Sequence, residues 1–237
     1  MDQPAIQTHD LTKVYTVSER ESGMTAALAS LVRRRTEEVR AVDGISFDLA
    51  PGEVVGFLGP NGAGKTTTVE ILEGLRKATS GSATVLGSSV STEYEKVRRK
   101  VGILPQDFEP FDRLTPTEAV SYWADMFGRR ITKDEIKALL ESVGLSERAR
   151  VQAMRLSGGE KRKLGIAMSL AGAPELLFLD EPTTGLDPKA RRDLWGLITG
   201  LKREGRTVFL TTHYLDEAER LADEVAVPGA IAADALS

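Results

Sequence analysis

Gly59-Pro60-Asn61-Gly62-Ala63-Gly64-Lys65-Thr66-Thr67 fills every fixed position of the pattern G-x-x-x-x-G-K-[ST]. On its N-terminal side Glu53 to Leu58 (EVVGFL) reads as a short buried strand, and on its C-terminal side Thr66 to Leu75 reads as a helix. Strand, loop and helix follow in the order that a phosphate cradle needs. Glycines let the backbone turn several N–H groups toward a β-phosphate, and the helix N-terminus adds partial positive charge. Lys65 supplies a full charge, Thr66 offers a hydroxyl to Mg²⁺ held between phosphates, and Thr67 is placed for the α-phosphate.

With 237 residues, 41% of them hydrophobic and 28% charged, the chain is long enough for one sizeable α/β core with a sub-domain. It has no cysteine and two histidines, so disulfide frameworks, thiolate sites and histidine-rich metal sites are excluded. The start MDQPAIQTHD has no basic, then apolar character, and no window approaches a membrane span; a soluble chain in a reducing compartment is expected. A formal charge of −4 disfavours nucleic acid as the main partner.

Ala5 to Val17 is expected to form a strand pair at a sheet edge, ending near Tyr15, which could stack on an adenine ring or be an ordinary strand tyrosine. In Ser18–Arg40, Met24, Ala27, Leu28, Leu31 and Val32 have helical spacing ahead of three arginines. That segment reads as a short amphipathic helix, packed on its own domain or against a membrane surface or partner. Strands are expected at Val39–Ala50, Ala83–Leu86 and Val101–Leu104; the last ends at Gln106, where open α/β sheets bind ligands and a glutamine can reach Mg²⁺ or a water. Between them Glu93–Lys100 is a charged helix or turn. From residue 106 to about 173 the pattern is helical, with amphipathic segments Thr117–Phe127 and Lys133–Val143 and a helix Lys161–Ala171 preceded by Ser157-Gly158-Gly159.

Glu175 to Leu179 is an apolar run that delivers Asp180 and Glu181 to the sheet edge, Asp180 suited to holding Mg²⁺ through water and Glu181 to polarising an attacking water. Thr207–Thr212 is another buried strand and ends at His213 on that same edge; Tyr214–Ala222 closes as a helix and Glu224–Val227 as a strand.

In this order the motifs resemble those of the nucleotide-binding domain of ABC (ATP-binding cassette) transporters over residues 1–227. Gly59–Thr67 resembles Walker A, Gln106 the Q-loop glutamine and Leu156-Ser157-Gly158-Gly159-Glu160 the signature. Asp180-Glu181 resembles Walker B with its catalytic glutamate, Gly185-Leu186-Asp187 the D-loop, His213 the switch histidine and Tyr15 the A-loop aromatic. LSGGE discriminates, because Walker motifs occur in many P-loop proteins.

The resemblance implies an α/β P-loop NTPase core with a mainly parallel sheet, an N-terminal antiparallel β sub-domain and an inserted helical sub-domain. It implies one ABC ATPase domain over residues 1–237: core at 1–105 and 174–237, helical sub-domain at about 106–173, and insertion at 18–40. It further implies ATP and Mg²⁺ as cofactors, and catalysis by Glu181, His213 and Gln106. Metal contacts would come from Thr66, Gln106 and Asp180, and nucleotide contacts from Tyr15, Gly59–Thr67, Ser157, Gly158, Gly159 and Asp187. Two copies would close head to tail on two MgATP and drive a separate integral-membrane permease, so the chain would be cytoplasmic and peripheral on the inner face of the cell membrane. A soluble ABC ATPase without a transport role is the alternative.

The segment Phe111–Glu118 is similar to exporters with separate ATPase and permease chains. Phe108, Phe111, Leu114, Tyr122 and Trp123 are expected to form a docking groove for a permease helix, some of them instead filling the sub-domain core. The insertion at 18–40 lengthens the region around Tyr15, and the end beyond Val227 is short relative to the family.

Overall fold

The structure, a computed structural model, describes residues 3–18 and 36–227. Two sheets are joined by helices. The first is antiparallel and contains β1 (Ile6–Ser18), β2 (Thr36–Leu49), β4 (Ser80–Val85) and β5 (Ser88–Ser89), in the order β2-β1-β4-β5. The second contains β3 (Val54–Leu58), β6 (Val101–Leu104), β7 (Leu176–Asp180), β8 (Thr207–Thr212) and β9 (Glu224–Ala226), in the order β6-β7-β8-β3-β9. Every pairing in this second sheet is parallel.

The central strands β7 and β8 are buried throughout, which is why they read as unbroken apolar runs rather than alternating ones. Alternation is still present, but it divides residues between two cores. Leu176, Phe178 and Phe209 point toward the antiparallel sheet, where they meet Ile6, Leu49, Val85 and the helix α1 (Lys65–Leu72). Phe47 of β2 stacks on Phe209 at 5.8 Å, joining the two sheets directly. Leu177, Leu179, Val208 and Leu210 face the other way, onto α5 (Gly158–Ala171), α6 (Pro188–Arg203) and α7 (Leu215–Leu221).

Between the sheets lies α2 (Tyr94–Arg98), and between β6 and α5 lie α3 (Pro116–Met126) and α4 (Lys133–Ser142). Helices α3, α4 and α5 each begin with a reciprocal capping box, Thr115–Glu118, Thr132–Glu135 and Ser157–Glu160. These three T/S-x-x-E signatures fix where the helical region starts its turns. Its core is continuous with that of the parallel sheet, because α5 packs Leu164 and Ile166 into the cluster that also holds Leu177 and Leu210.

Two expectations need correction. Ala5–Val17 is one long strand rather than a pair; its register shifts between Thr8 and Leu11, where Asp10 takes a φ of 45°. Its partner begins earlier than Val39: Thr36–Arg40 pairs with Val14–Ser18, and the ladder runs where Glu37, Glu38 and Arg40 are exposed, so no apolar pattern marks it. The proposed amphipathic helix, with Met24 to Val32, lies outside the described residues. The longest helix among the described residues, α6, had no counterpart in the sequence reading.

Candidate active site

Parallel register sets the site. Leu58 pairs with Thr212, and Asp180 with Thr211, so the C-terminal ends of β3, β7 and β8 lie level. The residues that follow these ends are Gly59, Glu181 and His213. Open α/β sheets bind ligands at this edge. Lys65 Nζ is 3.0 Å from Glu181 Oε1 and also donates to the carbonyls of Gly59 and Pro60 at 2.7 and 3.1 Å. Glu181 Oε2 accepts from Thr184 Oγ1 at 3.0 Å and lies 3.0 Å from His213 Nδ1.

Glu181 holds a left-handed φ of 44°, uncommon for a residue with a side chain and costing on the order of 1 kcal/mol. The bend is held by Thr211, whose hydroxyl and carbonyl both accept the Glu181 N–H, at 2.9 and 3.2 Å. The same hydroxyl donates to Asp180 Oδ1.

Lys65 and Glu181 are each about one-twentieth exposed, so their charges are held by each other rather than by water. Burial pushes the Glu181 carboxyl upward, but hydrogen bonds from Lys65 and Thr184 and the Lys65 charge outweigh it and keep it ionised below the usual range. Asp180 goes the other way: burial raises it, and the hydrogen bond from Thr211 and the Thr66 hydroxyl offset only part of that. Two adjacent carboxylates thus have opposite proton affinities. Beneath them Glu73, at the end of α1, is pushed up to about 8, first by burial and then by the charges of Asp180 and Glu70.

The loop Gly59–Gly64 enters α1 through Gly64, whose φ is 85° and whose added Cβ would lie 1.9 Å from the Ala41 carbonyl oxygen. Only glycine fits there. Gly64 brings no side-chain cap, so the first N–H groups of α1 remain available to an anion. The Thr66 hydroxyl, whose neighbourhood lowers the proton affinity of Asp180, completes a pair of hard oxygens next to this cradle. That donor set fits Mg²⁺, which takes one or two protein oxygens together with phosphates and water.

The remaining expected residues lie around this centre. Gln106 lines a cleft of about 320 Å³ with Gly158, Arg162, Thr184 and Gly185. Arg162 of α5 donates to the carbonyls of Pro105 and Gln106, tying the start of α5 to the end of β6. Ser157 Oγ accepts the Glu160 N–H at 3.3 Å and lies on an exposed residue. Gly159 abuts Ala190, where a Cβ would come within 2.8 Å. Asp187 caps α6 by accepting from the N–H groups of Lys189 and Ala190 at 2.9 and 3.0 Å. Tyr15 lies on β1, with the cationic atoms of Lys13 and Arg76 at 5.3 and 5.4 Å from its ring centre.

A second cleft, of about 480 Å³, is lined by Phe111, Asp112, Arg113, Leu114 and Tyr122. Phe111 and Tyr122 are about half exposed and meet edge-to-face at 5.9 Å. Phe108 and Trp123 instead pack against the main core, so the aromatics expected in one groove divide between surface and interior.

Sequence reasoning missed Thr211, Thr184 and Glu73. Thr211 was visible only as one of two threonines ending β8; a buried hydroxyl at the end of a central strand is the signal that could have found it.

A glycine-rich loop between a parallel strand and a helix, faced by an acidic pair at the end of β7, one strand removed in the same sheet, defines a P-loop nucleotide-binding domain. The family model described as ABC transporter matches residues 42–184. Nod factor export ATP-binding protein I of Ralstonia nicotianae is 41% identical over 202 residues, covering 83% of this chain and 62% of that protein. Linearmycin resistance ATP-binding protein LnrL of Bacillus subtilis is 42% identical over 190 residues, 78% of this chain and 60% of that one. The chain thus spans about three fifths of the length of these two relatives. Among solved structures, the dimeric structure of MJ0796, a bacterial ABC transporter cassette, superposes with a TM-score of 0.75 at 27% identity, covering 94% of both chains. A post-hydrolysis dimer of the same cassette with ADP and Pi gives 0.74 at 26% identity. The chain belongs to the ABC transporter family.

Proposed function

We propose that the chain hydrolyses ATP as the cytoplasmic subunit of an exporter, two copies closing head to tail on MgATP to drive a separate membrane permease. The observation that carries this reading is the Glu181 carboxylate, ionised and held at 3.0 Å by both Lys65 and His213 beside the phosphate loop. Gly59–Thr67 hold the phosphates, Thr67 reaching the α-phosphate. Thr66 and Asp180, with Gln106, hold Mg²⁺, which neutralises phosphate charge when bound. Glu181 takes the proton of the attacking water. Lys65 acts twice: while paired with Glu181 it keeps that carboxylate weakly basic, and on turning to a phosphate it releases Glu181 as a stronger base. His213 orients Glu181 through Nδ1. Tyr15 meets the adenine with a ring over which Lys13 and Arg76 also lie.

The exposed Ser157 hydroxyl and the amides of Gly158 and Gly159 supply donors to the γ-phosphate on a second copy, with Asp187 at the same interface. The dimeric MJ0796 cassette supports that arrangement. Export is supported by the two relatives named for Nod factor export and linearmycin resistance. No described helix is long and apolar enough to cross a membrane, and the permease, a separate chain in this reading, would seat in the Phe111–Tyr122 cleft. Residues 106–173 act as the helical arm that carries this cleft, and residues 1–105 and 174–237 as the core. A soluble ABC ATPase without a transport role is the other reading.

Glu181→Gln tests the chemistry: ATP binding is retained and turnover falls by a factor on the order of 10². With MgATP this variant elutes as a dimer on a sizing column, and adding Ser157→Arg keeps it monomeric. Near-normal turnover in Glu181→Gln removes Glu181 as the base, and a dimer that survives Ser157→Arg removes the shared site.

A further inference from the structure

His213 contacts Glu181 through Nδ1, and two further side chains are stacked behind its ring. Consecutive side chains leave an extended strand on opposite faces, so contact between the rings of residues 213 and 214 requires β8 to have ended. The Thr212 hydroxyl marks that end by accepting the Tyr214 N–H at 3.0 Å. The His213 and Tyr214 rings then lie 4.0 Å apart between centres, tilted by 40°.

On Tyr214 rests the guanidinium of Arg191, its central carbon 4.2 Å from the ring centre, well inside cation–π range. Arg191 Nε is shielded from solvent and has no hydrogen-bond partner. Among the described residues, no carboxylate lies within ion-pair distance of this guanidinium. The ring is the group on which the charge is committed. Arg191 belongs to the first turn of α6, and its own N–H donates to the Asp187 carbonyl at 3.0 Å.

We infer that Arg191 and Tyr214 are positioning residues for His213, a stacked column that aims its Nδ1 at Glu181 and passes any displacement of the start of α6 into that contact. The inference rests on the reading of Glu181 and His213 given under Proposed function. It adds a task for two side chains which that reading leaves unused. Rotation about the His213 Cβ–Cγ bond would exchange Nδ1 for a carbon, and the Tyr214 ring lies against the imidazole on the path of that rotation. Tyr214 is faced by a cation whose Nε has no hydrogen-bond partner among the described residues. The competing account is that Tyr214 and Arg191 only fill space between α6 and α7; removing them would then lower stability while leaving the imidazole as it was.

Imidazole ¹⁵N resonances separate the two accounts, because they report which ring nitrogen carries the proton. The chain has two histidines, so a His9→Gln background leaves His213 as the only imidazole signal. In that background the neutral ring is expected as the Nδ1–H form, donating to Glu181. Tyr214→Leu is expected to give a mixture of both forms and to lower kcat on the order of tenfold, with KM for ATP within about twofold. Tyr214→Phe, which keeps the ring, restores both readouts. Arg191→Met, which carries no ring current, is expected to shift the His213 resonances and lower kcat about threefold. Should Tyr214→Leu fail to fold, Arg191→Met decides by the same two readouts. Wild-type kcat and wild-type ¹⁵N pattern in the folded variants overturn the column. If His213→Ala itself turns over normally, the catalytic reading beneath it fails instead; if His213→Ala is inactive while Tyr214→Leu is normal, only the column fails.

Discussion

Glu73→Gln converts a buried carboxyl into a neutral side chain of nearly the same volume, and its effect on stability is expected to depend on pH. Glu73 is 5% exposed at the C-terminal end of α1, where the helix dipole also disfavours an anion. Its carboxyl titrates near 4.5 in the unfolded chain and is pushed up to about 8 in the fold, by burial first and then by Asp180 and Glu70. The sign follows from proton counting. Below the lower value both states keep the proton, and the native state carries no penalty. Between the two values the unfolded chain releases a proton that the folded chain retains, so stability falls by about 1.4 kcal/mol per pH unit. Above the upper value both release it and the fall stops. Raising the pH from about 5 to about 7.5 therefore costs the wild type about 3 kcal/mol through this residue, and costs Glu73→Gln nothing. For a chain of this size that is a melting shift of about 6 to 12 °C. The assay is thermal unfolding of both proteins across this range, with chelator and without nucleotide, because a cation at Asp180 would change the local field. Other titrating groups cancel in the difference between the two proteins. A difference that stays constant with pH refutes the reasoning.

Lys65→Met leaves Glu181 as an uncompensated buried charge and is expected to destabilise by about 3 kcal/mol, most of it recovered in the Lys65→Met/Glu181→Gln double variant; a double-mutant cycle in urea checks this. Trp195→Phe removes the 2.8 Å donor to Glu217 Oε1, whose other oxygen is already buried without a partner, and is expected to cost about 1 to 3 kcal/mol, read by denaturant midpoint. Phe111→Asp, at a half-exposed position, is expected to keep the melting temperature within a few degrees, roughly the scatter of surface substitutions, while abolishing co-purification with the permease. A variant that unfolds would make Phe111 part of the core.

What was legible in the sequence follows how each element is buried. β7 and β8 could be read because both faces are covered, which leaves continuous apolar runs ending in chemistry, at Asp180 and at His213. The phosphate loop could be read because Gly64 is the one residue its backbone admits. α6 was missed although Asp187 and Pro188 are its cap and first residue and Leu194, Ile198 and Leu201 lie on one face; Gly196 and Gly200 dilute the pattern. The outer arm of β2 was missed because main-chain pairing, not burial, holds it.

The site divides along the same line. Motifs name Lys65, Asp180, Glu181 and His213, but the chemistry depends on which of them touch, and that is a property of register between strands far apart in the chain. A shift of one residue between β7 and β8 would turn Thr211 away from Asp180 and from the Glu181 N–H, since alternate residues face opposite sides. Glu181 would then lose the hydroxyl that holds its left-handed bend. Thr211 and Glu73 each meet their partners on another element, so the local sequence only weakly marks them. The proton affinities of the two adjacent carboxylates, one lowered and one raised, come from those neighbours as well. The residues proposed for the chemistry are written in motifs, whereas the residues that set their geometry and charge are written in the way the strands align.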